Sequence, residues 1–215
     1  EKHMKPDDSH WITFKAKEPN GVLFVLREPG DASSGQNISD EDEKRAKSRL
    51  DGNYLWYCKL WEPNVKLKVG ERRVKCHLLK ILNAVLENTE DKELKKCSYT
   101  NITFESGGNK LSESYKSMKA CEKRKRVQEI IDSFGEGECK KVFLVKDIFE
   151  AYFDEAYFNQ EKLKGLSEIP GIIYQKGKRE EKTLKAYKYN DTEFYAMYHP
   201  SQWAYKFKGI GENRV

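Results

Sequence analysis

The sequence predicts an α/β fold with three layers, α/β/α, in which helices cover both faces of a short, mostly parallel central sheet. Two observations lead to this prediction. Continuous apolar runs at Gly21–Leu26 and Lys141–Lys146 are typical of strands that are covered on both faces. Stretches with helical periodicity lie between the predicted strands, and this alternation is typical of βαβ units in one doubly wound domain.

The other elements follow from periodicity and composition. From Val74 to Leu86 apolar residues recur at helical spacing, which predicts an amphipathic helix. A longer helix is predicted over Ser112–Phe134 and another near Phe149–Leu163. β-Branched and aromatic residues favour a strand at Ser98–Phe104. Three shorter strands are predicted late in the chain, at Ile172–Tyr174, Leu184–Tyr189 and Glu193–Tyr198.

Composition indicates one folded domain with a heavily charged surface. The chain has 215 residues, of which 38% are hydrophobic, 12% aromatic and 35% charged. A single core fits this length. We expect residues 1–4 to be a cloning remnant and residues 5–215 to form the domain. No apolar run has the length of a membrane span, and no signal-peptide pattern opens the chain. We therefore expect an intracellular monomer, in the cytoplasm of a prokaryote or the nucleus of a eukaryote.

The cysteines argue against a disulfide framework and against a metal centre. Five cysteines lie far apart without a Cys-x-x-Cys pair, and the four histidines form no ligand spacing with them. Four close ligands for an iron–sulfur cluster are also missing from the sequence pattern. We expect reduced thiols, no bound metal and no cofactor.

Polar residues stand at the ends of three predicted strands. Arg27-Glu28-Pro29-Gly30 follows the first strand, a middle strand carries Thr100-Asn101, and the last strand ends in Tyr198-His199-Pro200-Ser201. In a parallel sheet such ends meet at the edge where ligands bind. The order and spacing of these motifs resemble the uracil-DNA glycosylase superfamily. There the first strand ends in a polar residue before Pro, a middle strand offers Asn, and the last strand ends in His-Pro-Ser.

The resemblance implies a metal-free, monofunctional DNA glycosylase. Breaking an N-glycosidic bond creates a cationic sugar and a base that departs with negative charge on its oxygen. A carboxylate can stabilise the sugar and orient water, and a hydrogen-bond donor can hold the departing base. Glu28 is the first candidate for the carboxylate, although the family often has Asp or Asn there, and Asp31 is the second. His199 is the candidate donor to the base.

Further residues are implied in binding the substrate. Asn101 would read the base edge, because an amide can pair with both a carbonyl and a ring N–H. A base flipped out of the duplex needs an aromatic ring to stack on, and Trp56 is the first candidate and Tyr54 the second. Ser201 would hold a phosphate. A C-terminal aromatic and basic segment would contact DNA through Trp203, Tyr205, Lys206 and Lys208.

The net charge of +5 permits nucleic-acid binding, and its distribution matters more than its size. Basic residues cluster between Lys116 and Arg126 and again between Lys176 and Lys188. Each cluster would reach phosphates if it lay on the same side of the fold as the strand ends. Otherwise it is an ordinary solvated face.

Two alternatives stay open from the sequence. The base is uracil by resemblance, but Glu28 leaves open another damaged or modified pyrimidine, including a modified base in foreign DNA. The protein could also be a binding module that keeps the glycosylase fold without its chemistry. An unrelated hydrolase or nucleotide-binding protein is disfavoured, because the chain has no G-x-S-x-G, G-x-x-x-x-G-K-[ST] or G-x-G-x-x-G motif.

Overall fold

The structure is a computed structural model. It describes residues 16, 18–27, 66–67, 69–86, 91–94, 96–103, 111, 113–135, 137–154, 164–202, 204–211 and 213–214. The strands described are β1 (Val22–Leu26), β2 (Ser98–Asn101), β3 (Lys141–Val145), β4 (Leu166–Glu168), β5 (Ile172–Lys176), β6 (Glu180–Thr183), β7 (Ala186–Tyr189), β8 (Thr192–Met197), β9 (Tyr205–Ile210) and β10 (Asn213–Arg214). The helices described are α1 (Val69–Leu86), α2 (Asp91–Leu94), α3 (Glu113–Ser117), α4 (Ala120–Phe134) and α5 (Lys146–Tyr152).

The α/β class is confirmed, with a central six-stranded sheet in the order β2-β1-β3-β8-β7-β4. Strands β2, β1, β3 and β8 run parallel, β7 is antiparallel to β8, and β4 is antiparallel to β7. The sheet is therefore mixed, and the prediction of a mostly parallel sheet is wrong. The reason is the short connection Asn190-Asp191 between β7 and β8, since a tight turn joins only antiparallel neighbours. Asn190 takes a φ of 53°, which asparagine tolerates better than most residues.

A second, antiparallel sheet has the order β10-β9-β5-β6. The two sheets share one long hairpin. Its arms pair as β4 with β7 in the first sheet and as β5 with β6 in the second. Between these pairs, the N–H of Ile169 donates to the carbonyl of Ala186 (3.0 Å), and the N–H of Leu184 donates to that of Ile172 (2.9 Å). The basic stretch between Lys176 and Lys188 thus belongs to a strand pair that is continuous with the central sheet.

Gly171 lies where this shared hairpin passes from one sheet to the other. A Cβ atom at this position would stand 1.7 Å from the carbonyl oxygen of Leu184. No side chain fits there, because real Cβ atoms do not approach backbone atoms so closely. The crossing therefore requires glycine for space rather than for an unusual φ.

The core lies between the central sheet and its helices. A row of stacked rings crosses the four parallel strands, with centroid distances of 5.4 Å for Tyr99–Phe24, 4.9 Å for Phe24–Phe143 and 5.0 Å for Phe143–Tyr195. All four residues are buried. The apolar runs that predicted β1 and β3 are buried on both faces, as expected for strands inside a parallel region.

The helices differ from the prediction at their ends. The helix predicted over Ser112–Phe134 is two helices, α3 and α4. Lys119 separates them with an extended backbone, and its N–H donates to the Glu122 carboxylate at 2.7 Å, which starts a new helix. The helix predicted near Phe149–Leu163 begins earlier, at Lys146, and residues 155–163 lie outside the described part of the chain. No described helix is both long and apolar enough to cross a bilayer.

Candidate functional site

The carboxyl ends of four parallel strands meet at one edge of the central sheet. Val25 lies level with Thr100 and Leu144, and Leu144 lies level with Ala196. Only β3 separates β1 from β8, so their ends stand about 10 Å apart, which is two strand spacings. The residues at or just beyond these ends include Arg27, Asn101, Asp147 and His199.

His199 is held by the turn that follows β8. The backbone N–H of Ser201 donates to Nδ1 of His199 at 3.3 Å, and the Ser201 hydroxyl lies 2.7 Å from the same nitrogen. The N–H of Gln202 donates to the His199 carbonyl at 2.8 Å and closes the turn. Because Nδ1 accepts a backbone N–H, the neutral ring carries its proton on Nε2.

The surroundings of His199 keep this ring uncharged. Its pKa is lowered from 6.5 to about 4, mainly by burial and also by the nearby Arg27 cation, while the Asp147 carboxylate opposes the shift. His199 is therefore neutral at pH 7. The result is a partly buried imidazole whose Nε2–H is a donor at the edge of the sheet.

Asp147 organises a second group of residues at this edge, which we call the Asp147 cluster: Arg27, Tyr115, Lys123 and Asp147. Arg27 donates to one oxygen of Asp147 through Nε (3.1 Å) and a terminal nitrogen (3.0 Å). The other oxygen accepts from Lys123 Nζ (3.2 Å) and, through a very short bond, from the Tyr115 hydroxyl. Lys123 Nζ also stands 4.4 Å from the centroid of the Tyr115 ring.

These contacts fix the charge state of Asp147. Burial alone would raise its pKa, but the hydrogen bond from Tyr115 and the charges of Arg27 and Lys123 outweigh burial, so the pKa is lowered. A carboxylate with both oxygens engaged by cations is a poor proton acceptor. Asp147 instead holds two cations in place beside His199.

The first basic cluster of the sequence thus contributes to this edge through helix α4. Lys123 reaches Asp147, and Arg126 donates to the carbonyl of Ile102, just beyond β2, at 2.8 Å. Lys116 pairs with Glu113 and Lys125 with Glu129 on exposed surface. The cluster is therefore divided between the strand-end edge and an ordinary solvated face.

A buried set of neutral contacts, which we call the Tyr174 chain, consists of His77, Tyr174 and Tyr198. The hydroxyl of Tyr174 accepts from the N–H of Tyr198 at 3.3 Å and lies 3.0 Å from Nε2 of His77. Tyr174 is fully buried and His77 is 8% exposed. The pKa of His77 is lowered to about 4, mainly by burial and also by the Lys80 cation and by the charge that His199 carries when it is protonated. The chain links helix α1 and the second sheet to the residue preceding His199.

Tyr205 extends this arrangement on the second sheet. Its ring stacks on Tyr198 with a centroid distance of 3.7 Å, and Lys176 Nζ lies 5.8 Å from its centroid. Lys206 and Lys208 lie on the same strand, Lys206 exposed and Lys208 partly buried. Among the described residues, no hydrogen bond or ion pair joins either lysine to His199.

The site residues predicted from the sequence divide into two groups. Among the described ones, Asn101, His199 and Ser201 lie at the same edge, Tyr205 packs against Tyr198, and Lys206 and Lys208 lie on β9 with Tyr205. Asn101 is buried, level with Leu26 at the end of β1. The others, Glu28, Asp31, Tyr54, Trp56 and Trp203, lie outside the described residues.

Sequence reasoning missed both the Asp147 cluster and the buried part of the Tyr174 chain. Asp147 had a usable signal, since it directly follows the predicted strand Lys141–Lys146 and comes two residues after Val145, where β3 ends. His77 and Tyr174 had none, because they are 97 positions apart and only the fold brings them together.

Within the described part of the chain, no group of three His, Cys, Asp or Glu residues could hold a metal ion. Comparison with known proteins found no matching family, no matching curated protein and no matching solved structure. Function must therefore be argued from the geometry of this chain.

Proposed function

We propose that the protein is a DNA glycosylase of the uracil-DNA glycosylase superfamily. It would hydrolyse the N-glycosidic bond of uracil, or of another altered or modified pyrimidine, flipped out of DNA, as in base-excision repair or defence against foreign DNA. One observation carries the proposal: a neutral His199 offers Nε2–H at the same edge where β1 ends and leads into Glu28. The three-layer, glycosylase-like arrangement of the superfamily is part of this proposal.

His199 suits the departing base. As the glycosidic bond breaks, negative charge grows on the base oxygen, and a preorganised donor stabilises it more in the transition state than in the ground state. A neutral imidazole keeps its proton while donating from Nε2. Glu28, or alternatively Asp31, would supply the carboxylate that orients water and stabilises the cationic sugar on the opposite side.

Substrate binding would use the remaining residues of the edge. Asn101 would pair with the base edge, and Trp56 or Tyr54 would stack on the flipped base. Ser201 orients His199, because its N–H and hydroxyl both approach Nδ1 of that ring. A contact between Ser201 and a phosphate of the DNA is also predicted. Lys123 and Arg126 add positive charge near the strand ends, and DNA contacts are also predicted for Trp203, Tyr205, Lys206 and Lys208.

The proposal is tested with oligonucleotides that each carry one altered base, from uracil to modified pyrimidines, scored for abasic sites by alkaline cleavage. The wild-type protein should release at least one base. His199→Ala should slow release by about 10²–10³-fold, as expected for loss of a preorganised donor. Asp191→Asn, at the opposite end of β8, is the matched control and should leave the rate unchanged. If every oligonucleotide of the panel stays intact, the proposed glycosylase activity is refuted.

A DNA-binding module without catalysis is the second candidate. It is favoured by the Asp147 cluster, in which the Asp147 carboxylate holds the cations of Arg27 and Lys123 at the strand-end edge. Glu28→Gln and His199→Ala distinguish the two candidates. An enzyme loses base release with both substitutions, whereas a binding module shows no release at all and keeps its affinity for DNA.

A further inference from the structure

We propose that Tyr174 and His77 are positioning residues for His199, acting through the backbone of Tyr198. The inference rests on the proposed role of His199 as the donor to the departing base. It adds a functional element from helix α1 and from Tyr174 of the second sheet, which is otherwise proposed to contact DNA through Tyr205, Lys206 and Lys208.

The geometry begins at Tyr198, which lies between the last residue of β8 and His199. Its N–H leaves the ladder of the central sheet and donates to the Tyr174 hydroxyl at 3.3 Å. The two rings meet edge to face, with centroids 4.8 Å apart and an angle of 70°. Tyr205 covers Tyr198 by stacking, at 3.7 Å and 16°. The second sheet thus holds both the backbone and the ring of Tyr198.

The hydrogen bonds of the chain have a defined direction. The Tyr174 oxygen accepts the N–H of Tyr198, so its own proton is available to His77, whose Nε2 lies at 3.0 Å. His77 is buried and neutral, so Nε2 can accept this proton. Burial raises the pKa of Tyr174, so the hydroxyl keeps its proton. Bonds aligned in one direction polarise and strengthen one another in a low-dielectric interior.

A local irregularity supports a specific role for Tyr174. The pairing of β5 with β9 shifts register between Ile173 and Tyr174, so that Ile173 pairs with Gly209 but Tyr174 pairs with Phe207. Such a bulge bends a strand and redirects its side chains. Here the extra residue is Lys208 of β9, which lies opposite the step from Ile173 to Tyr174, the residue whose hydroxyl contacts the central sheet.

The position of His199 depends on Tyr198, because His199 directly follows Tyr198 in the sequence. Ser201 sets the rotation of the ring, while Tyr198 sets where the backbone of the turn begins. Displacing a reacting group by about 1 Å can cost about 10²-fold in rate. Without the Tyr174 hydroxyl, the N–H of Tyr198 has no partner among the described residues in its present position, and the turn loses its anchor.

The kinetic test uses Tyr174→Phe in the full-length protein. We expect kcat for base release to fall about tenfold while KM changes less than about twofold, because ring position matters most in the transition state. Tyr152→Phe is the matched control. Its hydroxyl donates to Gln128 at 2.7 Å, and its ring stacks on Phe194 of β8, but it has no link to Tyr198. This control should keep wild-type kinetics.

Two further comparisons separate positioning from general destabilisation. In a His199→Ala background, Tyr174→Phe should have no additional effect, because coupled residues are not additive. His77→Gln keeps an oxygen acceptor for the Tyr174 hydroxyl and should retain most of the activity, whereas His77→Leu should behave like Tyr174→Phe. An equal loss from Tyr174→Phe with and without His199 would overturn the proposal. If Tyr174→Phe does not fold, the comparison of His77→Gln with His77→Leu provides the same test.

A measurement independent of activity completes the design. In protein labelled with ¹⁵N-histidine, the signals of His199 are identified by their loss in His199→Ala. The wild type should show a neutral ring protonated on Nε2, and Tyr174→Phe should broaden or shift these signals while Tyr152→Phe should not. Unchanged His199 signals in Tyr174→Phe would overturn the positioning role. Changed signals in a protein that releases no base would support the positioning role and refute only the proposed enzyme.

Discussion

The Asp147 cluster and the Tyr174 chain lie at the same end of the central sheet, but they are built from opposite kinds of contact. In the first, a carboxylate accepts from two cations and a phenol while remaining partly open to water. In the second, a phenol, a neutral imidazole and a backbone N–H form hydrogen bonds in a buried space. His199 borders both groups.

The two groups contact the surroundings of His199 in different ways: one bears on the pKa of its ring, and the other on the backbone that precedes it. The charge of Arg27 contributes to the low pKa of His199, after burial. The Tyr174 chain instead contacts the backbone of Tyr198 and carries no charge at pH 7. Charged contacts weaken when solvent and salt reach them, whereas buried neutral contacts are lost only when a partner is removed or protonated.

The largest effect on stability is expected for Asp147→Ala. Removing one partner of a buried ion pair costs about 3–5 kcal/mol, but the Asp147 side chain is 35% exposed, so solvent reduces the cost. We expect the free energy of unfolding to fall by about 2–3 kcal/mol in urea titrations. Glu150→Ala on the same helix removes an exposed pair with Lys146 and should cost less than about 0.5 kcal/mol. Equal effects of the two substitutions would contradict this account of the cluster.

A pH effect of about 2 kcal/mol is expected from the Tyr174 chain. The unfolded chain binds a proton on His77 below about pH 6.5, while the folded protein resists it until about pH 4. Stability from this residue is therefore complete above pH 6.5 and is lost as the pH falls towards 4. Between pH 7 and pH 5 the wild type should lose about 2 kcal/mol more than His77→Gln, which cannot titrate. Parallel losses in urea titrations of the two proteins would exclude His77 as the source.

A smaller effect is expected for Lys123→Met. It removes the 3.2 Å contact with Asp147 and the cation over Tyr115, but Arg27 still pairs with the carboxylate. We expect a loss of about 1 kcal/mol in the free energy of unfolding. Lys125→Met, two residues further along the same helix on an exposed face, should change the free energy of unfolding by less than about 0.5 kcal/mol. A loss as large as that of Asp147→Ala would mean that Arg27 alone cannot stabilise the carboxylate.

The parts of the fold that were predictable from sequence are those where burial leaves a local pattern. The runs at β1 and β3 are apolar on both faces because both faces are covered. Strand β6, Glu180–Thr183, is exposed or half-exposed and charged, so no pattern marks it. Strand β9 did carry a signal, since Tyr205 and Phe207 alternate with lysines, but no strand was predicted there.

The placement of the candidate site residues could be predicted where they lie at strand ends, and it could not be predicted where it depends on tertiary contacts. Asn101 and His199 were expected at the strand-end edge because they lie at or just after the ends of predicted strands, and the same rule applied after β3 would have placed Asp147 there. Tyr174 looked like an ordinary residue of a short strand. Its proposed role depends on the register shift between β5 and β9 and on a helix distant in sequence, and neither can be predicted from the local sequence.

The hairpin shared by the two sheets has a consequence for dissecting the molecule. Each arm is hydrogen bonded in both sheets, and Gly171 at the crossing leaves no room for a larger residue. The four-stranded sheet is therefore not a separable appendage. Truncating it, or transplanting the six-stranded sheet without it, would cut both arms and leave the turn at His199 without its support.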